Sequence, residues 1–331
     1  MIPASLLDAI ADRGMAFSRL ASDLGVTVAI DPHELLRRDM ALSSPGLWSP
    51  NRHCRLVEAS DGWLAVNLAR EDDRDVVPAW LQCEVGGQPW AAIVEIARDR
   101  LVVDLLERAI MLGMPVSVVG ETASPDAWTI ANGVPQPRRL SEMSVIDLSA
   151  LWAGPLCGGL LSEAGMAVTK VEASARPDPT RLTMPLHDKR LNGRKRRMIM
   201  NLKEPELLQT LATADILITS ARPHALERFG LTPDALFARN PGLIWVAITA
   251  HGFDGPDGMR VGFGDDAAAA GGLLAWEDGQ PRFLGDALAD PLTGLRAAHS
   301  VLERVGSGQS GLIDVALAPT AADFAQQAGL L

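Results

Sequence analysis

Residues 145–172 read VIDLSALWAGPLCGGLLSEAGMAVTKVE, and this stretch decides the fold. A β-branched apolar run begins at Val145, a Gly/Pro turn lies at residues 153–155, and an apolar segment from Leu156 to Ala164 has the length of a short helix. A second strand-like run, MAVTKVE, follows at residues 166–172. This order predicts a βαβ unit with two parallel strands.

The same alternation continues toward the C-terminus. A helix-like segment at 204–214 precedes the strand-like DILIT (215–219), and another at 231–242 precedes LIWVAIT (243–249). An amphipathic helix at 294–305 and a glycine-punctuated turn lead to a last strand, LIDVALA (312–318). We therefore expect an α/β fold with a parallel sheet flanked by helices over residues 141–331.

Residues 1–140 are less regular and are expected to form a smaller α+β domain. Helix-like pieces lie at 6–24 and 93–111, and GWLAVNL (62–68) predicts a strand. A segment rich in Pro, Asn and Gly, residues 125–138, predicts a linker between the two regions.

The composition and charge of the chain disfavour some classes of function. With 331 residues, 47% hydrophobic and 21% charged, the chain can bury one large core or two modest ones. The net charge of −11 disfavours nucleic acid and anionic membranes as partners. No apolar run approaches the ~20 residues of a membrane-spanning helix, and the N-terminus lacks the features of a signal peptide. These patterns predict a cytoplasmic location.

The cysteines and acidic pairs exclude two further kinds of site. Cys54, Cys83 and Cys157 form neither an even disulfide framework nor a zinc motif, which indicates a reducing compartment. Cys157 has no His in local register, so a buried thiol is favoured over a nucleophile. No His or Cys stands at metal-ligand spacing from the carboxylate pairs at 265–266 and 286/290, so no metal is predicted.

Three features carry candidate chemistry. The turn at Trp152, Ala153 and Gly154 precedes a helix and can present N–H groups to a phosphate, although an ordinary tight turn also explains its glycine. The basic run 181–197 fits either a solvated loop or a binding surface for a polyanion such as coenzyme A. His251 follows a strand, where it is either a loop histidine with satisfied hydrogen bonds or a reactive group.

Six ordered phrases resemble the family III CoA-transferases, the group that also contains alpha-methylacyl-CoA racemases. They are VIDLSALWAGPLCGGLLSEAGMAVTKVE, DPTR, NGRKRRMIMNLKEPE, ADILITSARPHALERFGL, NPGLIWVAITAHGFDGP and ADPLTGLRAAHSVLERVGSGQSGLIDVAL. The resemblance implies a Rossmann-like, CoA-binding domain over residues 141–331.

The resemblance also implies roles for particular residues. Asp290 falls on the position of the family's nucleophilic Asp, which attacks the acyl thioester. A structural alternative is that Asp290 caps the helix that follows. The implied CoA-binding residues are Trp152, Ala153, Gly154, Arg181, Lys195, Arg196, Leu202, Lys203, Ser220 and Arg228.

The leading functional hypothesis is an acyl-CoA:carboxylate CoA-transferase that takes an acyl-CoA and a carboxylic acid and forms an aspartyl-CoA thioester. Transferases of the family often carry Gln at Trp152, Asn-Phe at Ser220-Ala221 and an acidic residue at Gly264, so these departures weaken the expectation of full activity. The alternatives are an acyl-CoA racemase or epimerase using Asp290 with His251, and a catalytically silent CoA-binding subunit.

The order of the two regions differs from that of the family. Residues 1–140 resemble the C-terminal half of family members through CRLVEASDGWLAVNLAREDD and LVVDLLERAIMLGMPVSVVGE, so the resemblance implies either a circular permutation or a fragment of a tandem arrangement. Exposed cut points make such a permutation physically reasonable. The resemblance implies a homodimer or a heteromer with a homologous subunit.

Overall fold

The computed structural model describes residues 2–84, 86–123, 129–132, 139–174 and 177–331, with the backbone alone for 129–132. The helices are α1 Ala4–Asp23, α2 Pro32–Leu36, α3 Glu71–Asp75, α4 Val77–Leu81, α5 Pro89–Ala97, α6 Val102–Met111, α7 Ala153–Glu163, α8 Thr180–Thr183, α9 Pro185–Asn192, α10 Pro205–Leu211, α11 Pro223–Glu227, α12 Pro233–Arg239, α13 Gly264–Ala270, α14 Ala289–Ser307 and α15 Leu317–Gln327. The strands are β1 Cys54–Glu58, β2 Trp63–Asn67, β3 Val116–Val118, β4 Thr129–Asn132, β5 Ser144–Asp147, β6 Ala167–Ala173, β7 Arg196–Met200, β8 Ile216–Thr219, β9 Ile244–Thr249, β10 Leu274–Glu277, β11 Gln280–Phe283 and β12 Ser310–Ala316.

A seven-stranded sheet with the order β4-β12-β9-β8-β5-β6-β7 forms the centre of the larger region. Six of its strands are parallel, and β4 pairs antiparallel with β12 at the edge. Every residue of β8 and β9 is buried, as expected for parallel strands covered on both faces. The predicted α/β fold and the βαβ unit of β5, α7 and β6 are confirmed.

A smaller antiparallel sheet, β1-β2-β3, lies in the first part of the chain. It packs with α4, α5 and α6 around Trp80, whose indole N–H donates to the Leu105 carbonyl at 2.9 Å. Its other face meets α13 and β10 through a cluster that includes Leu56 and Leu274. The small sheet therefore packs against the C-terminal end of α13 and the two-stranded sheet β10-β11.

Helix α1 packs on α14 and α15 in the larger core. Residues 1–140 therefore contribute both to the small sheet and to the helical layer of the large one. Among the helices of the described ranges, none has the length and apolarity to cross a membrane.

Two local predictions are wrong. The helix predicted at 93–111 is two helices, α5 and α6, with a break at residues 98–101. The break is held from outside, because Ser60 N donates to Arg100 O and Val102 N donates to Asp61 Oδ1. Within the predicted linker, residues 129–132 form strand β4, and residues 125–128 and 133–138 lie outside the described ranges.

Candidate active site

The loops that follow β5, β7, β8 and β9 meet at one edge of the large sheet, because the carboxyl ends of parallel strands lie together. Trp152 follows β5, Lys203 follows β7, Ser220 follows β8 and His251 follows β9. Ser220 Oγ accepts a hydrogen bond from Ala150 N at 3.0 Å, which ties two of these loops together. Predicted site residues from four loops therefore converge at one edge.

Helix α7 begins at this edge, directly after the turn that contains Trp152, and its first turn is buried. Leu151 in that turn has a left-handed backbone with φ of 70°, and its N–H donates to Asp178 Oδ2 at 3.3 Å. The first-turn N–H groups of this 11-residue helix, including those of Ala153 and Gly154, carry its positive end. Trp152 is 3% exposed, and its indole N–H has no partner among the described residues. This turn retains the donors expected of an anion site.

A buried network of charges supports the turn from below. Lys195 Nζ lies 2.8 Å from Asp147 Oδ2 and donates to the Pro155 carbonyl at 2.6 Å. Lys170 Nζ lies 3.0 Å from Asp178 Oδ2 and donates to the Ser149 carbonyl at 2.8 Å. The structure thus places Lys195 inside the protein, where it holds the first turn of α7 and does not face solvent.

The basic run at 181–197 is not a loop but α8, α9 and the start of β7. Arg197 lies 2.6 Å from Glu172 and also pairs with Asp188, so its charge is compensated internally. Leu202 is half-buried against the core. The cations from the predicted CoA-binding set that remain exposed are Arg181, Arg196, Lys203 and Arg228.

Arg222 is a further cation at this edge that sequence reasoning missed. It precedes α11, and its Nη1 donates to the Met259 carbonyl at 3.3 Å. Burial lowers the pKa of Arg222, and the charges of Arg70 and Arg228 lower it further. Three guanidinium groups thus lie near one another beside α11. The phrase ITSARPHALERF, which contains two of them, was the available signal.

Asp290 lies in the first turn of α14, whose N-cap is Leu288. The interpretation of Asp290 as an N-cap is therefore wrong. One turn later, a Cβ built on Gly294 would lie 2.7 Å from the Ala153 carbonyl oxygen and 2.9 Å from Leu156 Cβ. Helix α14 therefore lies directly against the first turns of α7, and this contact brings Asp290 to the same end of the molecule as the α7 N-terminus.

Gly264, at the start of α13, lies directly against the Asp290 carboxylate. Its N–H donates to Asp290, and a Cβ at this position would lie 2.2 Å from Asp290 Oδ2. The space that a side chain at 264 would need is therefore taken by the Asp290 carboxylate.

The carboxylates of Asp265 and Asp286 lie near Asp290, and Asp266 adjoins Asp265; all three accept hydrogen bonds. Asp265 accepts from Ala287 N at 2.7 Å and from Asn51 Nδ2 at 2.7 Å. Asp286 accepts from Asn51 Nδ2 at 2.6 Å and from Arg38 Nη1 at 2.8 Å. Asp266 accepts from Asn67 Nδ2 and from Phe263 N. All three are buried residues, whereas Asp290, taken as a whole residue, is partly exposed.

Burial raises the pKa values of three carboxyl groups in this cluster. Desolvation raises the pKa of Asp290 to about 7; Arg38 opposes the shift, and the charges of Asp265 and Asp286 add to it. Desolvation likewise raises the pKa of Asp265 to about 6, with Asp286 adding to the shift. Burial raises the pKa of Asp266 to about 8. These carboxyl groups therefore titrate near neutral pH.

His251 is 7% exposed, and both of its ring nitrogens lack a partner among the described residues. Burial lowers its pKa to about 3, and Arg260 adds to the shift, so the ring is neutral at pH 7. Its Nε2 lies 3.5 Å from the Cβ position of Gly262, two residues before the glycine that touches Asp290. His251 thus adjoins the site without hydrogen bonding to it.

The cysteines are free, and Cys54 and Cys157 are buried. Burial raises the pKa of Cys157 well above its ordinary value, which confirms its interpretation as a buried thiol. Within the described ranges, no group of three or more His, Cys, Asp or Glu side chains is arranged to hold a metal ion.

Comparison with known proteins agrees with this geometry. The sequence model of CoA-transferase family III matches residues 140–330, more than half of the chain, so the chain belongs to this family. It is 33% identical over 203 residues to a succinyl-CoA–D-citramalate CoA-transferase of Chloroflexus aurantiacus, covering 55% of this chain and 50% of that protein. It is 36% identical over 199 residues to the beta subunit of a succinyl-CoA–L-malate CoA-transferase of the same organism, covering 54% of this chain and 49% of that subunit.

A solved structure gives the same result for the fold. A CAIB/BAIF family protein from Brucella suis superposes with a TM-score of 0.52 at 28% identity, covering 57% of this chain and 56% of that one. The chain spans about half the length of the curated relatives it matches. The matched region contains α7 and Asp290, whereas Arg38 and Asn51 lie outside it.

Proposed function

We propose that this chain is an acyl-CoA:carboxylate CoA-transferase in which Asp290 is the nucleophile. The observation that carries the proposal is the placement of Asp290: a partly exposed residue whose carboxylate accepts from Gly264 N–H, on a helix packed against the first turns of α7. Its three neighbouring carboxylates are buried and hydrogen bonded.

The chemistry follows from a carboxylate nucleophile. An Asp290 oxygen attacks the thioester carbonyl carbon, the C–S bond breaks, and a mixed anhydride and CoA thiolate form. The thiolate attacks the aspartyl carbonyl and releases the donor acid, which leaves an aspartyl-CoA thioester. The acceptor carboxylate then attacks the aspartyl carbonyl of this thioester, which forms a second mixed anhydride and releases CoA thiolate. The thiolate attacks the acceptor's carbonyl carbon in that anhydride, which gives the new acyl-CoA and regenerates the Asp290 carboxylate.

The surrounding residues suit this role. The N-terminus of α7 and the exposed cations Arg181, Arg196, Lys203 and Arg228 provide positive groups for the phosphates of CoA. Only ionised Asp290 is nucleophilic, and its pKa of about 7 means that the rate rises with pH up to about 7 and then levels off.

The relatives support a carboxylic acid as acceptor, because the names of two of them specify D-citramalate and L-malate. We infer that the chain works in the cytoplasm as a homodimer or beside a homologous subunit, as the alpha and beta subunits of the malate enzyme suggest. We further infer that residues 1–140 correspond to the C-terminal half of the family and residues 141–331 to the CoA-binding half.

Mass spectrometry of the intact protein tests the proposal. After incubation with a panel of acyl-CoA thioesters, the wild type should gain the mass of a CoA thioester and should form a hydroxamate with hydroxylamine. Asp290→Asn should abolish both signals. The matched control is Asp286→Asn, which alters a neighbouring carboxylate of the same cluster; an adduct lost in that variant and kept in Asp290→Asn would refute the assignment.

Two other outcomes correspond to the alternative functions. Exchange of the α-proton of an acyl-CoA in deuterated water, abolished in His251→Ala and unaccompanied by an adduct, would indicate a racemase or epimerase. CoA binding with neither adduct nor exchange would indicate a subunit that completes the site of another chain.

A further inference from the structure

Arg38 lies in the segment after α2, far from Asp290 in sequence. Its side chain nevertheless contacts residues of the region 141–331 on several sides. Its Nη1 lies 2.8 Å from Asp286 Oδ2, and its Nε donates to Met184 Sδ at 3.3 Å. Its guanidinium carbon lies 5.6 Å from the ring centroid of Trp152, within the range of a cation–π contact. The side chain is 18% exposed, so its charge is held in a defined place.

Asn51 makes a second connection from the first half of the chain. Its amide nitrogen donates to Asp265 Oδ2 and Asp286 Oδ1 at 2.7 and 2.6 Å. Its oxygen accepts from Ser49 Oγ and His53 N, which fixes the orientation of the amide. Asn51 is neutral, so it orders the carboxylates without compensating their charge.

The charges that face Asp290 come from three parts of the chain. Asp265 belongs to α13, Asp286 to the loop before α14, and Arg38 to the first half. Gly264 contributes its N–H. Two like charges oppose ionisation of Asp290, and Arg38 is the cation that opposes them. Burial lowers the pKa of His53 and of His187, and the charge of Arg38 lowers both further. Both histidines therefore lie near the same guanidinium.

We propose that Arg38 is a positioning residue for Asp290: its guanidinium, held by Asp286, Met184 and Trp152, supplies a fixed positive charge that favours the ionised form of the Asp290 carboxylate. The inference rests on the proposed function for its catalytic meaning only. The electrostatic effect itself is measurable in the protein without substrate.

The experiment therefore has two independent readouts. The first is the titration midpoint of Asp290, followed by NMR of protein labelled with ¹³C at the aspartate carboxyl and assigned with Asp290→Asn. The second is the pH profile of adduct formation with an acyl-CoA. The variants are Arg38→Gln, Arg38→Met and Arg38→Lys, with Arg37→Met as the matched control, because Arg37 is more exposed and pairs with Glu34 and Asp39.

In Arg38→Gln and Arg38→Met the Asp290 midpoint should rise by about 1 pH unit, the lower end of the ~1–3 units that a nearby opposite charge produces, because the ion pair of Arg38 is with Asp286 and not with Asp290 itself. Adduct formation at pH 7 should fall about 5-fold or more and recover above pH 8. Arg38→Lys should restore the midpoint to within about half a unit, and Arg37→Met should match the wild type.

An unchanged midpoint in a neutral variant that keeps the wild-type circular dichroism spectrum would overturn the proposal, as would a rate loss that is the same at every pH. Should neither neutral variant fold, Arg38→Lys decides: a midpoint near the wild-type value supports a role of the charge, and one raised by a unit or more contradicts it. If the wild type forms no adduct, the transferase assignment fails while the NMR midpoint still tests Arg38.

Discussion

Replacing Lys195 with Met tests whether this residue supports the fold or binds CoA. Its Nζ and Asp147 Oδ2 are 2.8 Å apart, and both side chains are fully buried. Removing one partner of a buried ion pair costs about 3–5 kcal/mol, because the remaining charge stays desolvated. Lys170 also neutralises Asp147, so we expect the lower end, about 3 kcal/mol, which is more than a 100-fold change in the unfolding equilibrium.

The assay is urea unfolding followed by circular dichroism at pH 7, with CoA affinity measured by calorimetry on the folded variants. Lys189→Met is the matched control, since Lys189 is exposed and should change stability by no more than about 0.5 kcal/mol. Adding Asp147→Asn to Lys195→Met should recover part of the loss, because it removes the uncompensated charge. A Lys195→Met variant of wild-type stability with weakened CoA binding would refute the reasoning and make Lys195 a direct ligand.

Three further predictions concern Gly264, Asp266 and Cys83. Gly264→Ala should slow adduct formation at least ~10-fold and lower the free energy of unfolding in urea by about 1–3 kcal/mol, because its Cβ would overlap Asp290. The control is Gly306→Ala, which has open space around it and should be neutral in both assays. Asp266 has a folded pKa of about 8 against about 3.9 unfolded, so the folded state binds the extra proton and stability falls as pH rises from 4 to 8; Asp266→Asn should flatten this slope in unfolding curves measured across that range. Cys83, which is half-buried, should react with a thiol reagent before the two buried cysteines do, and simultaneous reaction of all three in the native protein would contradict the structure.

Much of the fold was predictable because the second half of the chain has strong local patterns. DILIT and LIWVAIT contain the apolar runs 216–218 and 243–248, and they form the buried strands β8 and β9 to within one residue at their starts. The break between α5 and α6 was not predictable, since it depends on contacts with the β1–β2 turn roughly 40 residues away. Strand β4 was missed for the same reason: its four residues depend on pairing with β12.

The candidate site shows the same difference between residues marked by local patterns and residues placed by long-range contacts. Asp290 and the turn before α7 were predicted because local phrases carry the family resemblance. Arg38 and Asn51 were missed, because they reach Asp286 across sequence separations of 248 and 235 residues and no local pattern marks them. Lys195 was predicted as a CoA-binding residue, and its sequence neighbours gave no indication that Asp147 would enclose it.

The contacts of Arg38 and Asn51 with the carboxylate cluster have a consequence for exchanging segments between relatives. A chimera that transplanted only residues 140–330 into another scaffold would carry Asp290, the α7 turn and the buried carboxylates beside it, but not Arg38 and Asn51, which bind those carboxylates. Under the proposed role of Arg38, Asp290 in such a hybrid would be ionised to a smaller extent at neutral pH than in the intact chain. The smallest segment that could transfer the proposed site with its charges balanced therefore extends beyond residues 140–330 and includes Arg38 and Asn51.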